Sequence, residues 1–210
     1  MTPRLCQPLA SLLLLALVCP DSAYAAPVLR AADIRVTIDA DNVCQVTTTL
    51  TVDGGGAVDH RIEARDDTHI RLAGVRGARQ AQDLRTIGRT QSLVLEPATG
   101  AYELAHAAER SPTDDRCPLW VPAAPADGVS RAVRISVELP PGMSARGTMP
   151  AFSWSGSTGT TTLGHIPAFV RVSYGAAGDA MPWDVSTAMD ALAVFVFACA
   201  SGIWLWRRKR

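Results

Sequence analysis

The sequence predicts an all-β protein: an antiparallel β-sandwich ectodomain followed by one C-terminal transmembrane helix. Three observations predict it. Apolar and polar residues alternate with period two in run after run between residues 26 and 174. Gly, Pro, Asp and Asn interrupt those runs at short intervals, as turn residues do. No convincing helical pattern precedes residue 186, and a largely apolar run, with Asp190 its one charged residue, then fills residues 186–206.

The strands follow in order. "DIRVTID" sets Ile34, Val36 and Ile38 on one face with charges on the other. "ADN" at 40–42 is a turn, and "VCQVTTTLTV" answers with Cys44, Val46, Thr48, Leu50 and Val52, so the two runs read as an antiparallel hairpin. "DGGG" at 53–56 is a loop. "AVDHRIEA" then aligns Val58, His60 and Ile62, and "HIRLAGV", "QSLVLEP" and "AYELAHA" continue the series. Residues 109–128, rich in Pro, Asp and Ala, read as a long loop. "RAVRISVELPPG" is the clearest strand, with Val133, Ile135, Val137 and Leu139 alternating before the Pro-Pro-Gly stop. "GTMPAFSWSGSTGTTT" gives two short strands and a turn, and "AFVRVSYG" closes the domain. Eight or nine strands with loops at both ends make a sandwich over residues 26–174. Residues 175–185 are a linker.

The opening hairpin, "DIRVTIDADNVCQVTTTLTV", resembles the start of an uncharacterised family of bacterial predicted membrane proteins. The exported β-domain of that family begins with an alternating strand, an Asp-Gly turn and a Val-Thr-Glu-Thr strand. Here the turn is Asp41-Asn42 and the strand is Val46-Thr47-Thr48-Thr49, without the Glu. "ISVELPPG" and the Gly- and Trp-containing strand after it fit the same layout. The resemblance implies the sandwich and no activity.

Both ends of the chain point to export. Residues 1–25 combine Arg4, an apolar stretch of about ten residues and Ala23-Tyr24-Ala25, the layout of a signal peptide cleaved after Ala25. Val18 before Cys19 argues against a lipoprotein cysteine. Residues 186–206 would form a helix of about 31 Å, enough for a hydrocarbon core of about 30 Å. Trp204 and Trp206 stand at the interface, and Arg207, Arg208, Lys209 and Arg210 form a basic tail that stays cytoplasmic. Type I topology follows: a bacterial inner-membrane protein, single-pass, with its main domain in the periplasm. Ala198 and Gly202 have the small-xxx-small spacing that lets two such helices approach, which allows self-association.

The chain carries 20 basic and 20 acidic residues. Four of the basic ones are the tail, so the exported part is mildly acidic, and no nucleic-acid partner is expected. Of five cysteines, Cys6 and Cys19 leave with the signal and Cys199 lies in the anchor. Cys44 and Cys117 remain, in an oxidising compartment, and are expected to pair. Cys44 shares a face with Val46 and Leu50, so the bridge is expected inside the core.

No residue set suggests catalysis or a cofactor. "SWSGSTG" holds Ser155 and Ser157, but the Gly-x-Ser-x-Gly elbow and its helix are missing. The densest polar stretch, "HRIEARDDTHI", offers His60, Asp67 and His69 as metal ligands. The leading expectation is a non-enzymatic interaction or accessory module with a partner in the inner membrane or envelope. A second reading is a metal-dependent envelope enzyme, or a metal- or ligand-binding protein, using His60, Asp67 and His69. A third is a surface or secreted protein released by sorting-type processing of the C-terminal tail.

Overall fold

The computed structural model describes residues 26–65, 67–97, 100–111, 113–125 and 132–177, together with Ala193, Phe195 and Phe197. The expected signal peptide, most of the expected anchor, and Ala198, Gly202, Trp204, Trp206, Arg207, Arg208, Lys209 and Arg210 lie outside the described residues. Among the described residues no helix is long and apolar enough to cross a membrane. The protein is predominantly β, with fifteen strands among the described residues.

In chain order these are β1 (Val28–Ile38), β2 (Val43–Asp53), β3 (Val58–Glu63), β4 (His69–Arg76), β5 (Ala78–Gln80), β6 (Arg85–Ile87), β7 (Thr90–Pro97) and β8 (Ala101–Glu109). They continue with β9 (Arg116–Pro118), β10 (Val121–Pro122), β11 (Val133–Glu138), β12 (Met143–Met149), β13 (Ser153–Ser155), β14 (Thr158–Leu163) and β15 (Phe169–Ala176). A seven-stranded sheet has the order β13-β14-β11-β1-β2-β8-β4. A second sheet runs β10-β3-β7-β5, with β6 also on β7, and a third runs β12-β15-β9.

The β1–β2 hairpin forms as its alternation predicts. Val36 faces Val46 and Ile38 faces Cys44, and Ile34, Val36, Ile38, Cys44, Val46, Thr48, Leu50 and Val52 are all buried. The Asp39 carboxylate accepts from the N–H groups of Asp41 (3.0 Å) and Val43 (2.9 Å), which closes the turn. Asn42 takes φ 63°, the left-handed region that Asn tolerates. A wholly antiparallel arrangement is not what forms, because β1 pairs β11 in parallel, Ile34 opposite Ile135. Both strands carry their apolar residues on the same buried face, so the pair extends that face without reversing direction.

Two other expectations need correction, and one strand went unread. The stretch at 109–128 is not one long loop: β9 and β10 lie in it, each too short to show alternation. β12 was not legible because six of its seven residues are half-buried, so no face stands out. The linker begins later than residue 175, since Gly175 pairs with Ser144 and Ala176 with Met143.

A single apolar core joins all three sheets. It holds Ile34, Leu50, Leu104 and Ile135 from the large sheet, Ile62, Leu93 and Leu95 from the second, and Cys117, Val170 and Val172 from the third. Gly77, between β4 and β5, has φ 72°, and a Cβ there would lie 2.9 Å from the Ala101 carbonyl oxygen. Gly77→Ala is therefore expected to destabilise by about 1–2 kcal/mol, read as a lower urea midpoint.

Candidate functional site

The structure does not assemble the three candidate metal ligands. His60 is buried on β3 of the second sheet. Asp67 is exposed in the turn before β4, and His69 is exposed at the start of β4, at the edge of the large sheet. Among the described residues no group of three or more His, Cys, Asp or Glu side chains is placed to hold a metal. The physical reason is the pleat. His60 follows the inward face of Val58 and Ile62, whereas β4 belongs to another sheet and turns His69 outward. Ser155 flanks and Ser157 occupies the tight β13–β14 turn, where Gly156 supplies φ 61° and Trp154 lies over Gly159. That "SWSGSTG" run is hairpin chemistry.

Cys44 and Cys117 form a disulfide, with Cα atoms 6.1 Å apart and both residues fully buried. It ties β2 of the large sheet to β9 of the third. Buried polar contacts make parallel ties. The His60 Nε2 and Tyr102 hydroxyl lie 2.6 Å apart, linking β3 to β8, with the rings edge to face. Burial pushes the Tyr102 phenol up, so it stays protonated. Burial also lowers His60 to about 4, partly offset by the backbone carbonyls of Leu93 and Val58 and by Asp59.

His106 sits on the same face of β8. Its Nε2 is 3.0 Å from the Pro118 carbonyl oxygen, an acceptor only, so Nε2 carries the proton. Burial lowers His106 to about 4 against the opposing effect of that carbonyl. Trp120 packs edge-on to it, ring centroids 6.3 Å apart. Both histidines thus sit neutral inside the body. The face they occupy was legible in "AYELAHA" and "AVDHRIEA", because each keeps step with its apolar neighbours. Their partners come from other sheets and were not.

Sequence reasoning missed Arg110 and Arg116. Arg110 is buried and grips the β1–β2 turn: Nε donates to the Asn42 carbonyl at 3.2 Å, and Nη2 bonds the Asn42 side-chain oxygen. Tyr174 donates to that same oxygen at 3.2 Å, and Asn42 Nδ2 donates to the Ser111 carbonyl at 2.9 Å. This knot and the adjacent disulfide fix the segment that carries Asp114 and Arg116.

That segment forms one wall of a cleft of about 280 Å³, between the β3–β4 loop, the β6–β7 turn and β9. Asp114 is buried there. It accepts from the Thr68 hydroxyl and from the Arg116 N–H, each at 3.2 Å, and lies 3.6 Å from Arg65 Nη1. Arg116 places its guanidinium carbon 4.9 Å above the Phe169 ring. Arg89 and Glu63 stand at the exposed rim.

No protein-family model matches the chain, and no curated protein matches it. Solved structures give distant likenesses. Native leukotriene A4 hydrolase from Saccharomyces cerevisiae is 10% identical with a TM-score of 0.44, over 71% of this chain and 29% of that one. The M1 zinc metallopeptidase from Deinococcus radiodurans is 13% identical with a TM-score of 0.38, over 71% of this chain and 42% of that one. The chain therefore spans less than half the length of either protein.

Proposed function

We propose that this chain is an exported, single-pass, non-enzymatic module that binds a partner protein in the bacterial inner membrane or envelope. The observation that supports it most is the buried Cys44–Cys117 bond, since persistent structural disulfides belong to oxidising compartments such as the periplasm. The signal-like residues 1–25 and the apolar run at 186–206 with its basic tail agree with that compartment and with a tether. Within the body we infer a sandwich, the seven-stranded sheet forming one layer and both smaller sheets covering its buried face. The His60–Tyr102 and His106–Pro118 contacts and the disulfide all cross between those layers.

The surface best suited to a protein partner is the β6 hairpin. Ile87 is 77% exposed and Leu84 37%, flanked by Arg85 and Arg89, and among the described residues β6 pairs only with β7. Apolar anchors beside arginine are the composition of interface centres. An epitope inserted near Gly178 permits purification after crosslinking in intact cells. One stoichiometric membrane partner is the expected result; self-crosslinks alone, or none, would count against the reading. Ile87→Asp should cut the crosslinked yield several-fold while changing stability by less than about 0.5 kcal/mol, because the side chain is mostly in water.

A further inference from the structure

We propose that the cleft between the β3–β4 loop, the β6–β7 turn and β9 binds a small anionic ligand through a carboxylate or phosphate group. The inference goes beyond partner docking and does not depend on it. Three guanidinium-bearing residues line the cleft: Arg65, Arg89 and Arg116. Two carboxylates do so as well, and they are not equivalent. Asp114 is buried and already satisfied by Thr68, the Arg116 N–H and Arg65. Glu63, at the exposed rim, is the only other acid among the described lining residues.

Arg116 is the residue on which the site turns. It is half-buried, and among the described residues its guanidinium forms no ion pair. Instead the group lies over the Phe169 ring. Contact with the ring holds the guanidinium over Phe169, and among the described residues no carboxylate pairs with its N–H donors, the state suited to a two-point bond with a carboxylate or phosphate. The cost of ordering a long side chain is thereby met before a ligand arrives. Arg65 is oriented in the same way by Asp114, through one long contact that leaves most of its donors available. Behind them, Pro118, Ala168 and Phe169 offer an apolar floor. The volume of about 280 Å³ suits a small molecule rather than a folded chain. The wall is rigid, since Arg116 adjoins the disulfide at Cys117 and the Arg110–Asn42 knot fixes the other end of its segment.

The test is isothermal titration of the full-length protein in detergent micelles with inorganic phosphate and, separately, succinate. Constant ionic strength keeps general screening from reading as binding. Saturable binding of at least one anion is expected. Phosphate alone assigns a phosphate-bearing ligand, and succinate alone a carboxylate. Arg116→Gln should weaken binding about tenfold or more, and Arg116→Lys less, because lysine keeps the charge and loses the fork. The urea midpoint of Arg116→Lys should stay at the wild-type value, which separates a lost site from a lost fold. No binding of either anion up to about 10 mM, the regime of negligible affinity, would overturn the proposal. Undiminished binding by Arg116→Gln would overturn it equally.

Discussion

Removing the Cys44–Cys117 bridge should lower the unfolding free energy by about 4 kcal/mol, the largest single effect expected in this protein. The bond closes a loop between residues 73 apart in sequence. In the chain-entropy account a loop of that length restricts the unfolded chain by about 4 kcal/mol. Because both sulfurs are fully buried, a Cys44→Ala/Cys117→Ala variant also loses packing around two small cavities. Urea unfolding of the variant against wild type, with and without reductant, measures both parts. Reductant should shift the wild-type midpoint down and leave the variant unmoved. Equal midpoints for wild type and variant would mean that the bridge adds nothing to the stability of the fold. A reduced protein should also bind its partner less well, since β9 and the 110–116 segment lose their tie to β2.

Acid should destabilise the protein well above the range in which carboxylates titrate. His60 and His106 are each lowered to about 4 in the folded chain, against an ordinary value of 6.5 in the unfolded one. The unfolded state therefore binds more protons between about pH 6.5 and pH 4, and stability falls as pH falls through that window. Above it, both rings are neutral in either state and the contribution is fully present. At pH 4.5 each histidine should have removed about 2–3 kcal/mol, an order-of-magnitude figure that follows from the linkage relation. Asp59 acts lower down. Burial raises it, but its hydrogen bonds to Ser92 and Arg61 outweigh that and hold it below 3.8, so its loss comes only at stronger acidity.

The measurement is the urea midpoint at pH 7.5, 5.5 and 4.5. His60→Gln, which is neutral at every pH and can still hydrogen-bond Tyr102, should roughly halve the acid sensitivity whatever it does to absolute stability. A flat profile across that range would show that neither ring is held neutral by burial.

Much of the fold was present in the local pattern. The faces of β1, β2, β3, β8 and β11 can be read from every second residue, because one side of each strand is buried and the other is wet. The cysteine pairing was legible for a related reason: compartment and elimination left two cysteines, and the face of Cys44 pointed inward. β5, β6, β9 and β10 were not legible, since two or three residues cannot show a period. The candidate site was almost wholly hidden. Arg65, Arg89 and Arg116 are far apart in sequence and sit in a loop, a turn and a three-residue strand. The polar run at 60–69 offered metal ligands as an alternative reading only because sequence spacing ignores which sheet each residue joins.

The sequence by itself therefore determined the secondary-structure class, the inward faces of the long strands and the chemistry available at the two ends of the chain. Those are local properties, set by side-chain alternation and apolar length. Only the tertiary structure decided that β1 runs parallel to β11, that three sheets share one core, and that His60 and His69 part company. It also brought Arg116 over Phe169 beside a buried, satisfied Asp114. Strand pairing and cleft walls join residues that are distant along the chain. They are chosen by which surfaces can be buried together with their polar groups paired, and no window of sequence contains that choice.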